Sequence, residues 1–339
     1  MWEKRIVRNQ NLAPYTKQHG NRGLSSRVWA LYGQQREAWP EFRRGHDAIR
    51  EAQTRWVWLE SCWVLCQYMP HRIASASARV DPPSIEKRSC FLCPENLYPQ
   101  EKALAYGEDY FILCNVSPIF DYHVVITHRD HVPQQLNEHF QRALTLARDL
   151  APHFVVIYNG PRCGASAPDH LHFQAFPRDN LPLESQVWVD QSRHGHEIII
   201  ESDKIRIAAP RGFSRHFLIF ESRDSDVLSE RFHQTLGALS EDEDSIGEPM
   251  VNLIMGYRGS TWRLILFPRR KHRPQCYYGT QDDQLLISPG AIDMAGMFII
   301  PRKRDYHKVS PKILRDIYHE VTLSERRFAN LTQNLRGMT

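Results

Sequence analysis

His170, His172 and Gln174 stand at alternate positions in the stretch Asp-His-Leu-His-Phe-Gln-Ala-Phe. Read as a strand, this period of two puts all three on one wall and turns Leu171 and Phe173 toward a core. Imidazole can attack an electrophile or ligate a metal, and an amide can hold a developing negative charge. Just upstream, Asn159-Gly160 and Cys163-Gly164-Ala165-Ser166 make a small-residue loop whose backbone N–H groups can approach an anion. A nitrogen nucleophile, an amide and an anion cradle this close together point to chemistry on a phosphate. The competing reading is a plain polar strand face or a His-x-His metal site, and other stretches have to decide.

Cys90-Phe91-Leu92-Cys93 is the second chemical signal. Two thiolates at this spacing chelate one tetrahedral zinc but need two further ligands. With no second Cys-x-x-Cys, histidines complete the shell most simply. A redox role lacks the βαβ surroundings it needs. Pro268-Arg269-Arg270-Lys271-His272-Arg273-Pro274 is a cation cluster that reads equally as a solvated turn or as a phosphate contact.

The elements that must position these groups follow from hydrophobic pattern. Residues 1–55 read as mostly helical, and the apolar run Trp56–Cys66 fits a buried helix or a strand. Residues 110–114 and 123–127 read as strands, 135–150 as a helix, and 154–158 as a strand that feeds the glycine loop and the histidine strand. Strand, strand, helix, strand, loop, strand is an α+β unit with a mainly antiparallel sheet. Residues 179–196 read as a polar connection, followed by Ile198-Ile199-Ile200. The order then recurs with strands at 216–220, 250–255 and 262–267 and a helix at 224–241. This is a diverged duplication, with Trp262-Arg263-Leu264 standing where the His-x-His stands in the first half. A strand at 297–301 and an amphipathic basic helix over 311–335 close the chain.

The 339 residues suffice for two compact halves, and a 42% apolar fraction supports a packed core. A formal charge of +4 falls short of a dedicated nucleic-acid binder. No signal-like start and no bilayer-length apolar run is present, so the expected location is the cytoplasm, without membrane contact. Seven cysteines, an odd number, fit a reducing compartment and metal binding better than disulfides.

With the knuckle, His131 and the His170–Gln174 strand in view, the chain resembles the nucleotidyltransferase branch of the histidine-triad superfamily. That branch holds galactose-1-phosphate uridylyltransferase, diadenosine tetraphosphate phosphorylase and the GDP-hexose phosphorylases. The resemblance covers residues 66–176 well and 213–305 more loosely. It implies Cys90, Cys93, His131 and His170 as ligands of a structural zinc, with His128 and His123 competing for the third place. It implies His172 as a nucleophile that forms a nucleotidyl-histidine, and Gln174 as the group holding a non-bridging phosphoryl oxygen. Arg72, Asn115, Asn159, Gly164 and Ser166 match nucleotide and phosphate contacts, and Lys271 joins them from the cation cluster. Asp169 between Pro168 and His170, together with Leu171, departs from the Pro-His-Pro-His of the uridylyltransferases.

The expected architecture is α+β: a helical extension at 1–65, a catalytic histidine-triad-like half at 66–178 and a diverged second half at 179–339. The implied activity is ping-pong transfer from a nucleoside polyphosphate or nucleotide sugar to phosphate or a sugar phosphate, by a monomer or homodimer. The alternatives are a hydrolase of the same superfamily, or a zinc-stabilised nucleotide-binding protein without turnover.

Overall fold

In the computed structural model, which describes residues 1–16, 23–188, 195–240, 247–280 and 283–338, the strands follow the apolar runs of the sequence. They are β1 (Gln53–Leu59), β2 (Cys62–Tyr68), β3 (Ala103–Tyr106), β4 (Tyr110–Cys114), β5 (Val124–His128), β6 (Phe154–Asn159) and β7 (His172–Pro177). After these come β8 (His196–Glu201), β9 (Ile205–Pro210), β10 (Leu218–Ser222), β11 (Val251–Arg258), β12 (Thr261–Pro268) and β13 (Met297–Ile300).

Ten of them form one sheet in the order β3-β4-β5-β7-β6-β11-β12-β10-β9-β8. Every neighbouring pair in it is antiparallel. Taken from its own outer edge inward, each half contributes its first, second, third, fifth and fourth strands in turn. The expected duplication is therefore present, and the halves share a single sheet joined where β6 pairs with β11 (Asn159 opposite Asn252, Val156 opposite Met255).

All six residues of β6 are buried, because this central sheet is covered on both faces. Leu171, Phe173 and Ala175 enter one core with the helices Phe140–Asp149 and Ser225–Ser240. The two helices meet through the stacked rings of Phe140 and Phe232, 3.8 Å apart. Phe176, Ile157, Ile254, Ile265 and Phe267 enter the core on the opposite face. His172 and Gln174 share the Phe176 side of β7, so the sheet's alternation aims them at that second face.

In the second half β12 stands where β7 stands in the first. Arg263 lies on the face of Ile265 and Phe267 and donates to Glu221 of β10, which also accepts from Arg206 of β9 at 3.3 Å. An internal ion pair thus occupies the place of the histidines. Trp262 and Leu264 belong to the other face.

Three expectations about elements change, and the strand expected near 297–301 finds its sheet. The helical extension ends at Arg50, not at residue 65, because Trp56–Cys66 lies in the hairpin β1–β2. β13 leaves the large sheet and lies parallel to β2, making a three-stranded layer from the two ends of the chain. The connection after β7 contains the helix Pro182–Trp188. The closing helix is two, Pro311–Val321 and Glu325–Arg336, the second begun by Ser324 accepting from the Arg327 N–H.

Candidate active site

β7 begins at His172, and one buried amide fixes that start. Gln134 Oε1 accepts from the His172 N–H at 2.7 Å, while its Nε2 donates to the carbonyls of His172 (3.0 Å) and Asn159 (2.9 Å). Gln134 thereby pins the His172 strand to β6, a role that no spacing in the sequence signals. The His172 ring is oriented in turn by Nδ1, 2.9 Å from the His170 carbonyl oxygen. A carbonyl only accepts, so Nδ1 carries the proton and Nε2 keeps its lone pair. Burial pushes the His172 pKa below the ordinary histidine value, partly opposed by the bond to His170.

His172 and Gln174 line a cavity of about 640 Å³. Gln174 Oε1 lies 2.9 Å from Nε2 of His123, which is fully buried. Among the described residues, Arg72, Arg79, Lys87, Arg88 and Arg273 stand around the cavity against a single carboxylate, Asp293. Asp293 accepts from the N–H groups of Gly290 and Ile299 at 2.9 and 3.0 Å, so it serves the wall. Burial lowers the Arg72 pKa only to about 10, which leaves it charged at neutral pH. Its Nη1 donates to the Ser117 carbonyl.

Of the other expected contacts, Asn115, Asn159, Gly164 and Ser166 all line the cavity. Asn159 Oδ1 is engaged with Asn252 Nδ2 and the Ala291 N–H, both at 2.8 Å, so it also ties the two halves together. Gly164 has φ +95°, and a Cβ there would come within 2.8 Å of the Gly290 Cα, so only glycine lets these two loops touch. Lys271 is not brought to the cavity: its ammonium pairs with Glu320 at 2.8 Å, while its neighbours His272 and Arg273 line the wall. Arg269 of the same cluster is buried and donates to Asn252 and to the Pro289, Lys271 and His272 carbonyls. It holds the second half's loop against the site.

His170 does not join the cavity wall as a simple strand face would have it. It precedes β7, in a turn, and its Nδ1 faces Cys90 Sγ at 3.3 Å and Cys93 Sγ at 3.5 Å. His131 Nδ1 lies 3.2 Å from Cys93 Sγ, and the four ligand atoms all lie within 4.8 Å of one another. Zinc–sulfur and zinc–nitrogen bonds of about 2.3 and 2.0 Å imply tetrahedral edges of roughly 3.3–3.8 Å, so the set fits one small divalent ion.

The surroundings agree with that fit. His170 Nε2 donates to the His128 carbonyl at 2.9 Å, freeing Nδ1 to ligate, and Asp169 stands 3.5 Å from His131 Nε2. Burial beside Cys90 pushes the Cys93 thiol up to about 12, a cost that a cation would remove. The competitors are engaged elsewhere: His128 Nδ1 meets the backbone of Asp130, and His123 meets Gln174.

The N-terminal helices support the site from behind. In the helix Pro40–Arg50, His46 Nδ1 is 2.8 Å from Tyr32 Oη and 3.1 Å from Asp121. A Cβ on Gly45 would come within 2.3 Å of the Val116 carbonyl oxygen, in the loop that carries Asn115 and Ser117 to the cavity. Alanine for glycine in a helix interior ordinarily stabilises by about 1 kcal/mol. Here Gly45→Ala is expected to destabilise by about 1–3 kcal/mol through overpacking. Denaturant melts of the two proteins check the sign.

Residues 31–177 match a family described as a domain of unknown function (DUF4922), and residues 189–339 match one described as GDPGP1-like, C-terminal domain. GDP-L-galactose phosphorylase 2 of Arabidopsis thaliana is 27% identical over 233 residues, covering 64% of this chain and 49% of its own length. GDP-L-galactose phosphorylase 1 of the same plant is 26% identical over 244 residues, covering 65% and 48%. The chain thus spans about half the length of the relatives it matches. Yeast Ap4A phosphorylase Apa2 in complex with AMP superposes with a TM-score of 0.54 at 15% identity, over 93% of this chain and 97% of that one, which establishes a shared fold. The chain is thus similar in sequence to the GDP-L-galactose phosphorylases and in fold to yeast Ap4A phosphorylase. Among the described residues, no helix is long and apolar enough to cross a membrane.

Proposed function

We propose that the protein is a phosphorylase-type nucleotidyltransferase, acting at the α-phosphorus of a nucleoside polyphosphate or a nucleotide sugar of the GDP-hexose kind. The observation that carries this reading is the His172 ring, whose Nδ1–H is tied to the His170 carbonyl and whose other nitrogen is left for a cation-lined cavity. The Nε2 lone pair attacks phosphorus, the N–P bond forms, and the P–O bond to the leaving phosphate breaks with its electron pair going to that oxygen. The charge arising on the ring is shared with Nδ1–H and its carbonyl partner. Inorganic phosphate, or a sugar phosphate, then attacks the same phosphorus and returns the pair to Nε2. Gln174 donates to a non-bridging oxygen throughout.

Zinc in the Cys90–Cys93–His131–His170 set is structural on this reading. Four protein ligands fill a tetrahedron and leave no position for water. A hydrolase is the second reading, and Gln174 speaks against it because an amide N–H is too weakly acidic to protonate a leaving group. The names of the plant relatives and of the yeast neighbour favour phosphate as the acceptor.

Intact-protein mass after incubation with diadenosine tetraphosphate and with ADP-, GDP- and UDP-hexoses tests the proposal. The expected result is an acid-labile gain of one nucleoside monophosphate with at least one of them, discharged by phosphate. Neither adduct nor turnover with any, from folded protein carrying its metal, would overturn it.

A further inference from the structure

An amide can present either end to a ligand, and Gln174 is useful to a phosphate only by its nitrogen. The fold contains a device that makes this choice. His123 is fully buried where the chain enters β5, and the backbone N–H of Ile119 points at its Nδ1 at 3.2 Å. A backbone N–H only donates, so Nδ1 holds the lone pair and the ring's one proton sits on Nε2. Nε2 is 2.9 Å from Gln174 Oε1, which therefore accepts. With Oε1 taken, the amide nitrogen is the end left for the cavity that Gln174 lines. Asn115 Nδ2 also approaches His123 Nε2, but at 3.5 Å it is too distant to compete.

The ring itself has little freedom. It packs edge-on to Phe176, with centroids 5.6 Å apart, and against Phe120 at 6.1 Å. Burial, with the Arg72 guanidinium nearby, depresses its pKa to about 3, so it stays neutral and keeps one donor and one acceptor.

We propose that His123 is a positioning residue that fixes the polarity of the Gln174 amide, so that its N–H and not its carbonyl meets the non-bridging oxygen of the substrate's α-phosphoryl group. This deepens the reading above and rests on it for the substrate. The reverse orientation would set the amide oxygen against a phosphoryl oxygen and turn an attraction into a repulsion. It would also leave the His123 Nε2–H and the amide N–H facing each other.

Three variants separate this role from a merely structural one. His123→Phe keeps a buried ring and removes both nitrogens, whereas His123→Gln restores a donor able to reach Gln174. Removing one well-placed donor to a developing charge costs about 10²–10³ in kcat. His123→Phe is therefore expected to lose roughly 10²-fold in the rate of nucleotidyl-enzyme formation, with KM much less affected, and His123→Gln to recover at least about tenfold of that loss. Gln174→Ala should lose as much alone as it does combined with His123→Phe. Additive losses, or an unchanged rate in a folded His123→Phe protein, would sink the proposal.

A readout without turnover keeps its failure distinct from that of the proposed activity. The Gln174 side-chain amide signal, assigned by its loss in Gln174→Ala, should shift on adding inorganic phosphate to the wild type and to His123→Gln, but not to His123→Phe. An equal shift in all three proteins counts against the relay whatever the enzyme assays show.

Discussion

A His172→Ala chain is expected to lose on the order of 10⁴–10⁶ in kcat while folding and binding nucleotide as the wild type does. At 1.36 kcal/mol per decade, this is about 5–8 kcal/mol of transition-state stabilisation resting on one nitrogen. Folding should survive because what holds this position is backbone. Gln134 grips the N–H and C=O of residue 172, and β7 pairs with β5 and β6 through its main chain. The side chain's bond to the His170 carbonyl returns a lone pair to Nε2 and adds little to the sheet. Binding should survive because the cations lining the cavity belong to other segments, Arg72 through Arg88 and Arg273. The measurement pairs kcat with a nucleotide titration and a thermal melt on the same preparation. A variant with wild-type kcat would remove His172 from the chemistry, and one that fails to bind nucleotide would assign it to binding.

The shared face of His172 and Gln174 was legible because a strand's period of two is strict over Leu171–Phe176, where small changes of register would expose Phe173. The metal knuckle was legible because chelation by Cys90 and Cys93 is local. His131 was reached only through the resemblance, since it and Cys93 are 38 positions apart and only the turn after β5 brings them to 3.2 Å. Gln134, His123 and Arg269 act as buried polar groups whose partners are up to 52 positions away, and no local pattern marks such pairs. Lys271 was misplaced because a run of cations does not reveal which of its members the end of β12 turns inward. The hairpin β1–β2 hid for a different reason. Val57 and Leu59 face the core, but the outward residues are Trp56, Trp58 and Trp63, so an alternation of burial leaves no alternation of polarity.

Removing the metal is expected to cost both stability and rate, because His170 belongs to two structures at once. Its Nδ1 faces the thiols and its carbonyl oxygen accepts from the His172 Nδ1–H, so the ligand set and the tautomer of His172 share one residue. Without a cation, Cys90 and Cys93 must bury as neutral thiols beside two imidazoles, and the turn Asp169–His170 loses an anchor, keeping the bond from His170 Nε2 to the His128 carbonyl and the Arg88–Asp169 ion pair. Loss of the ion should lower stability by about 3 kcal/mol or more and Tm by several degrees. Displacing a reacting atom by about 1 Å costs roughly 10²-fold, so on the proposed reading kcat should fall by that order with a purely structural ion. Cys90→Ser should reproduce both losses, whereas Asp169→Asn should weaken metal binding by roughly 10–100-fold and also loosen the pair with Arg88. The check is metal content, Tm and kcat measured together, before and after chelation and again after zinc is restored. A metal-free protein with unchanged Tm and full rate would show that the four ligands are held by packing alone and that His172 owes its orientation to the sheet.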